Sequence, residues 1–271
     1  MKYSEEWFND SNFWKNFAPI IFDDKHWSEV PEVADSVTRL AGLRLYPENA
    51  LVHGASVGTG GPRALDLCCG MGRITAELAR RGFVMTGVDI TESFLETARE
   101  DALYEGLDIE YVQADARSFV RPAFFDTAMN LYISFGYFEN PGDDLQLARN
   151  VHESLKPGGS FIVETLGKEI AVRDFTPGEW FERAGYMVLT EYKAVDSWAA
   201  LKNRWILIPK AERPNGTRIE KTFTQRLYAA TELRALLFEA GFADVELYGG
   251  WDEREYDQDA EILIAVGRKD R

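Results

Sequence analysis

The sequence predicts an α/β fold: a doubly wound, mostly parallel sheet preceded by an aromatic helical segment and interrupted by an antiparallel β insertion. Three observations carry this expectation. From Arg63 onward, short apolar runs alternate with helical periods, the pattern of a parallel sheet with right-handed crossovers and helices on both faces. The first such unit, "ALDLCCGMGR" over residues 64–73, joins a strand to a helix through Gly70 and Gly72. Between residues 186 and 228 the alternation gives way to strand-like runs, with Asn215-Gly216 as a tight-turn signal between the last two.

The elements follow in order. Residues 1–60 read as an N-terminal helical lid and linker. They hold Trp7, Phe8, Phe13, Trp14, Phe17, Phe22 and Trp27, with Trp7, Trp14 and Phe17 spaced as one helical face. The glycine-rich "HGASVGTGGP" at 53–62 is the link to the core. Residues 61–168 carry strand "RALDLC", a helix over 72–81 with Ile74 and Leu78 on one side, and strand "FVMTGVD". Thr91 is placed to N-cap a helix whose apolar face is Phe94, Leu95, Ala98 and Ala102. Strands "IEYVQAD" and "FFDTAMNLYI" come next, then a helix over 143–155 stopped by "LKPGG", then strand "SFIVETL". Residues 169–228 form the β insertion, with "YMVLTEY", "AALKNRWILI" and "TRIEKTFTQRLY" as strands. Residues 229–271 return to the core sheet. A helix through Leu233, Leu236, Leu237 and Ala240 stops at Gly241, and "DVELYGG" and "EILIAVGRK" are the final strands.

Bulk properties narrow the function classes. The 271 residues carry a net charge of −15 and no basic tract, which argues against nucleic acid as a partner. No run of 18 apolar residues is present, so no membrane span is expected. The opening "MKYSEEWFND" is unlike a signal peptide. Two adjacent cysteines and three scattered histidines, His26, His53 and His152, provide neither a disulfide framework nor a metal-ligand spacing. A cytoplasmic setting and no metal are the corresponding expectations.

The glycine turn suits a nucleotide-like ligand at the carboxyl edge of the sheet, because glycine permits a sharp turn and a close approach. The dinucleotide fingerprint fails, since Thr75 stands where the third glycine belongs, and no G-K-[ST] follows. Asp66, four residues before Gly70, would repel a pyrophosphate and attract an ammonium. Asp89 ends the second strand 19 residues after Gly70, where a carboxylate accepts ribose hydroxyls. Asp115 and Ala116 follow the third strand, where an acid accepts from an adenine amino group. A reactive Cys68 or Cys69 would need a basic neighbourhood; Arg73 is the nearby cation and Asp66 opposes it.

The run from Arg63 to Leu166 resembles the class I S-adenosylmethionine (SAM)-dependent methyltransferases. "LDLCCGMGR", "VDI", "QADAR", "FDTAMNLYISFGYF" and "LKPGGSFIVE" resemble that family's motifs in order and spacing. The resemblance implies a Rossmann-like seven-stranded sheet whose last strand is antiparallel, SAM as cofactor and S-adenosylhomocysteine as product. It implies that Asp66, Cys68, Gly70 and Gly72 line the methionine side, with Cys68 in a slot that often holds a third glycine. By the same resemblance Asp89 and Ile90 hold ribose and adenine, Asp115 and Ala116 hold adenine, and Asn130 with Leu131 flanks the sulfonium.

Methyl transfer asks for alignment and exclusion of water, and a hydroxyl acceptor also needs a base. The chain lacks the [DNS]-P-P-[YF] turn of base-methylating relatives, and "NLYISFGYF" resembles small-molecule methyltransferases. A small-molecule acceptor, methylated on N or O, is therefore expected. Trp14, Phe17, Trp198, Arg204 and Trp205 are candidates to line its site. Tyr132, Glu164 and His26 are loose candidates for a base, and none is singled out. The alternatives are another SAM-dependent reaction on this fold, such as aminopropyl transfer, and a non-catalytic SAM-binding module. A homodimer through the β insertion is a further expectation.

Overall fold

A computed structural model describes residues 6–43, 60–210 and 216–271. Most of the 53–62 linker, Asn215 of the Asn215-Gly216 turn, and His53 lie outside the described residues. A 3-10 turn at Trp7–Asn9 precedes α1 (Ser11–Ile21), α2 (Asp24–Ser28) and α3 (Val30–Leu40). The core then runs β1 (Arg63–Leu67), α4 (Arg73–Arg80), β2 (Val84–Asp89), α5 (Glu92–Glu105), β3 (Ile109–Gln113), β4 (Phe125–Asn130), α6 (Pro141–Ser154) and β5 (Leu155–Thr165). It is followed by α7 (Lys168–Arg173), then β6 (Gly178–Arg183), β7 (Tyr186–Val195), β8 (Ala200–Pro209) and β9 (Ile219–Arg226). The chain closes with α8 (Ala230–Ala240), β10 (Asp244–Tyr248) and β11 (Leu263–Arg268).

The main sheet has seven strands in the order β10-β11-β5-β4-β1-β2-β3. β11 runs antiparallel between β5 and β10, and the remaining core pairings are parallel. Both faces are covered, so consecutive strand residues are buried. Leu65 and Leu67 of β1 pack with Leu147, Val151, Leu233 and Leu237 from α6 and α8. Ala64 packs on the other face with Val33, Val37, Ile74 and Leu78 from α3 and α4. Strand order places the switch point between β1 and β4, where their carboxyl ends diverge and a crevice opens.

Four sequence expectations are corrected. Thr91 does sit at the N-cap of α5, but its side chain accepts from no helical N–H; its own N–H and hydroxyl are drawn to Asp89. "LKPGG" does not separate α6 from β5. The strand already pairs at Leu155 with Phe125, bulges, and resumes at Ser160 opposite Thr127, with Gly158 at φ 78° supplying the bend. The insertion has four strands, ordered β6-β7-β8-β9. Its edge strand "GEWFER" is not legible in the sequence, because its two aromatics are adjacent, Trp180 exposed and Phe181 half-buried, and give no apolar alternation.

The fourth correction concerns the aromatic face. Trp7 belongs to the separate 3-10 turn, and Asp10 caps α1 by accepting from Asn12 N (3.0 Å) and Phe13 N (3.3 Å). The buried face of α1 is Phe13, Phe17 and Ile20. It packs on Tyr186, Val188, Leu207 and Phe223 of the insertion. The N-terminal segment and the insertion thus share one apolar cluster beside the core sheet.

Candidate functional site

The crevice is built from the turn between β1 and α4. Cys68, Gly70 and Gly72 all take left-handed backbone angles, with φ of 60°, 56° and 75°. A Cβ at Gly72 would collide with the Tyr111 hydroxyl, and one at Gly70 would press on Phe22 at 3.2 Å. Glycine is therefore favoured at 72 by its angle, and any side chain there would have to displace the Tyr111 hydroxyl. Cys68 adopts an angle that favours glycine. Both thiols are held protonated, pushed far up by burial with Asp66 and Asp89 adding to the effect. They are not nucleophiles in this setting.

Two buried carboxyl groups hold the turn, and a third ends β5. Asp66 accepts from Thr75 Oγ1 at 2.6 Å, and burial pushes its carboxyl up to about 7, opposed by the Thr75 hydrogen bond. Asp89 accepts from Gly70 N and Thr91 N, each at 2.8 Å, and burial raises its pKa despite those bonds. Glu164, at the end of β5, accepts from the Tyr132 backbone N–H, and burial pushes it up to about 7. That bond holds a bend in which Tyr132 and Ile133 have φ of 54° and 62°, a costly conformation for non-glycine residues. Buried acids whose charged form is penalised become favourable partners for a cation.

Asn130 closes the floor. Its Nδ2 donates to Leu67 O at 3.1 Å, while its Oδ1 is buried without a hydrogen-bond partner, beside the Cys68 thiol. Leu131 and Ala116 are also buried. Asp115 is already engaged: both its oxygens accept from the Arg117 guanidinium, at 2.5–3.0 Å, which holds its carboxyl below the usual range against the opposing effect of burial. A ligand amine would share Asp115 with Arg117.

The N-terminal segment roofs this floor. Phe22 packs edge-on against Phe94 at 5.5 Å, and Trp14 does so at 6.2 Å. His26 lies edge-on to Tyr132, its ring centroid 6.0 Å away, and its Nδ1 contacts Asp23 Oδ1 at 2.5 Å. Tyr132, Glu164 and His26 are thus brought to one end of the crevice. The Tyr132 hydroxyl is buried beside Arg73 without meeting hydrogen-bond geometry.

The acceptor-lining candidates separate. Trp14 reaches the roof, its indole N–H donating to Phe8 O at 2.7 Å. Phe17 is fully buried between α1 and the insertion, against Trp205. Both therefore serve the packing of roof on insertion. Trp198 packs on Phe175 in a small cluster with Leu201 and Leu227. Arg204 lies on the insertion face turned away from α1, paired with Glu191 and Glu220; strand alternation sends Trp205 inward and Arg204 outward.

Two residues of the crevice were not among the site candidates, although the sequence marks Arg73 as the cation near the cysteines. The Tyr137 ring lies 4.7 Å from Trp7, its hydroxyl pKa raised by burial and by Cys68, Glu164 and Asp89. It also lines an adjoining cavity of about 330 Å³ with Trp7, Phe8, Phe138, Arg117 and Arg226. Arg73, the second, opens α4 and points under the roof. The signal for both was their place in the quoted motifs; nothing in the spacing marked their side chains as inward.

Residues 64–159 match the family model described as a methyltransferase domain. A ubiquinone biosynthesis O-methyltransferase of Idiomarina loihiensis is 32% identical over 112 residues, 41% of this chain and 44% of that protein. The match thus spans less than half the length of that curated relative. A SAM-dependent methyltransferase structure from Clostridium acetobutylicum superposes with a TM-score of 0.73 at 17% identity, covering 96% of this chain and 98% of the other. A sugar N-methyltransferase structure from Streptoalloteichus sp gives 0.63 at 17% identity, covering 90% and 87%. At such identities the structural likeness speaks for the fold.

Proposed function

We propose that this chain, which matches a methyltransferase domain across residues 64–159, is a class I SAM-dependent methyltransferase that methylates a small-molecule acceptor. The observation that carries the proposal is the pair of buried carboxyls, Asp66 and Asp89, bonded to the glycine turn and the helix that follows it, with a third buried carboxyl, Glu164, at the end of β5. Such a crevice fits a ligand with an ammonium, a sulfonium and ribose hydroxyls, and the unpartnered Asn130 Oδ1 leaves a buried acceptor there. SAM, when bound, supplies a methyl group on a sulfonium, displaced in line to leave S-adenosylhomocysteine.

The chain's residues do the positioning. Asp66 would take the ammonium and Asp89 the ribose hydroxyls, its lone pairs only partly used by Gly70 and Thr91. Ile90 and Ala116 would border the adenine, with Asp115 and Arg117 at its amino edge. Cys68, Gly70, Gly72, Asn130 and Leu131 would line the methionine and sulfonium side. Trp14, Phe22 and the helices around them exclude water. Glu164, with its carboxyl near 7, suits the proton of an acceptor amine or hydroxyl at neutral pH. The acceptor class is supported by the net charge of −15 and by relatives named for a quinone precursor pathway and for sugars.

Calorimetric titration with SAM tests the cofactor. Binding is expected at micromolar to low millimolar concentration, and its absence at millimolar SAM overturns the reading. Asp89→Ala should weaken binding by about 1.5–3 kcal/mol, the scale of a charge-assisted hydrogen bond. Mass spectrometry of a metabolite extract incubated with methyl-labelled SAM should then show one or a few labelled small molecules.

A further inference from the structure

The cavity of about 330 Å³ beside the crevice has four aromatic walls, Trp7, Phe8, Tyr137 and Phe138. That size and lining suit a single ring oriented by a few polar groups. The polar groups are unevenly used. Arg117 stacks on Phe8 and Phe138, at 5.5 and 5.0 Å, and pairs with the lining acids Glu6 and Asp143, at 2.7 and 3.4 Å. Glu139 is not free either. Two donors remain: Arg226 Nε and Trp7 Nε1 are both buried without a hydrogen-bond partner. Arg226 ends β9 and donates from Nη2 to Glu139 O at 3.1 Å. Asp144 and Glu232 feel its charge through space, yet among the described residues it makes no ion pair. Buried donors without acceptors are costly to keep, and a guanidinium fork matches the oxygens of a carboxylate or phosphate.

The same cavity adjoins the crevice. Tyr137 lines it, and the Tyr137 hydroxyl lies in the fields of Cys68, Glu164 and Asp89. Arg117 lines it too while holding Asp115. A ring seated there abuts the crevice across Tyr137, with Arg226 and Thr224 of the insertion on another wall. We propose that this cavity seats the methyl acceptor, and that the acceptor is an aromatic anion whose carboxylate or phosphate oxygens take the free donors of Arg226 and Trp7. The inference rests on the SAM-dependent reading and goes beyond it by fixing the seat and the charge of the acceptor. Arg226 is then a specificity-determining residue, which rejects a neutral ring because its buried donor stays unpaired.

The test is fluorine NMR titration with 4-fluorobenzoate, 4-fluorophenyl phosphate and neutral 4-fluorobenzamide, on the chain alone and saturated with S-adenosylhomocysteine. One anionic probe should bind wild type at least about tenfold tighter than the amide, and no more weakly with S-adenosylhomocysteine present; the tighter of the two names the anion. Arg226→Gln should remove that preference and leave the amide within about twofold. Equal binding of anions and amide overturns the assignment, as does a preference that survives Arg226→Gln. Expulsion of the probe by S-adenosylhomocysteine also overturns it, because the cavity then belongs to the cofactor. Should Arg226→Gln fail to fold, Arg226→Lys replaces it, keeping the charge but losing Nε and the fork, and must lose most of the preference. In a metabolite extract incubated with methyl-labelled SAM, the label should appear in compounds retained by an anion exchanger, and label confined to the flow-through overturns the acceptor's charge. Calorimetry with SAM on the same samples separates the failures. A chain that binds SAM without preferring an anion loses the cavity assignment alone, and one that does not bind SAM loses the reading beneath it.

Discussion

Cys68 shows how one residue's backbone outweighs its chemistry. Its thiol is buried and held protonated, so the sulfur contributes no nucleophile. Its φ of 60° is what the turn demands, and a glycine there adopts that angle without strain. Cys68→Gly is therefore expected to retain SAM binding within a few fold, read by calorimetry; loss of binding would return the thiol to the mechanism. Asp66 makes the pH prediction at this scale. Its carboxyl stands near 7 in the ligand-free fold, and an incoming ammonium favours the ionised form. SAM affinity should thus rise from pH 6 to pH 8 with release of protons, up to about tenfold per unit below the pKa. An affinity flat across that range would contradict it.

At the scale of elements, the N-terminal helix and the β insertion depend on each other. Phe17 of α1 is fully buried against Trp205, in the cluster formed with Val188 and Leu207. Phe17→Ala should cost about 3–5 kcal/mol of the stability of that unit. Denaturant unfolding and limited proteolysis within α1 measure it, and a change below about 1 kcal/mol would show that α1 is not anchored there. The motif-four loop is tied to the same unit. Gln225 Nε2 donates to Ile133 O at 3.0 Å and Arg226 N to Gly136 O at 2.8 Å. From the other side Asp144 accepts from the Tyr228 hydroxyl at 2.7 Å and from Gly136 N at 3.3 Å. The insertion therefore holds the strained loop that presents Tyr132 and Tyr137.

At the scale of the whole molecule, the buried acids set a pH dependence of folding. Asp66, Asp144 and Glu164 each stand near 7 in the fold against ordinary values near 4 in the unfolded chain. Between about pH 4 and pH 7 the unfolded state has released protons that the fold retains, so stability without ligand should fall as pH rises through that window. Thermal unfolding at pH 5 and pH 7.5 checks the sign, and saturating SAM should reduce the loss. The order of core strands, the glycine turn and the three strand-end acids were legible in the sequence, because periodicity and spacing are local properties of the chain. No described helix is long and apolar enough to cross a membrane. Where the chain's order ceases to describe its neighbours, legibility ended. β6 has no alternating apolar face. The inward turn of Arg73 depends on the rings of Phe22 after α1, Trp27 in α2 and Tyr132 after β4. Asp115 is shared with Arg117, and Arg204 faces outward by strand register. The sequence by itself determined a glycine turn and strand-end acids at the carboxyl edge of a parallel sheet. Only the tertiary structure decided which side chains face it, because burial, charge pairing and the roof arise from segments far apart in the chain.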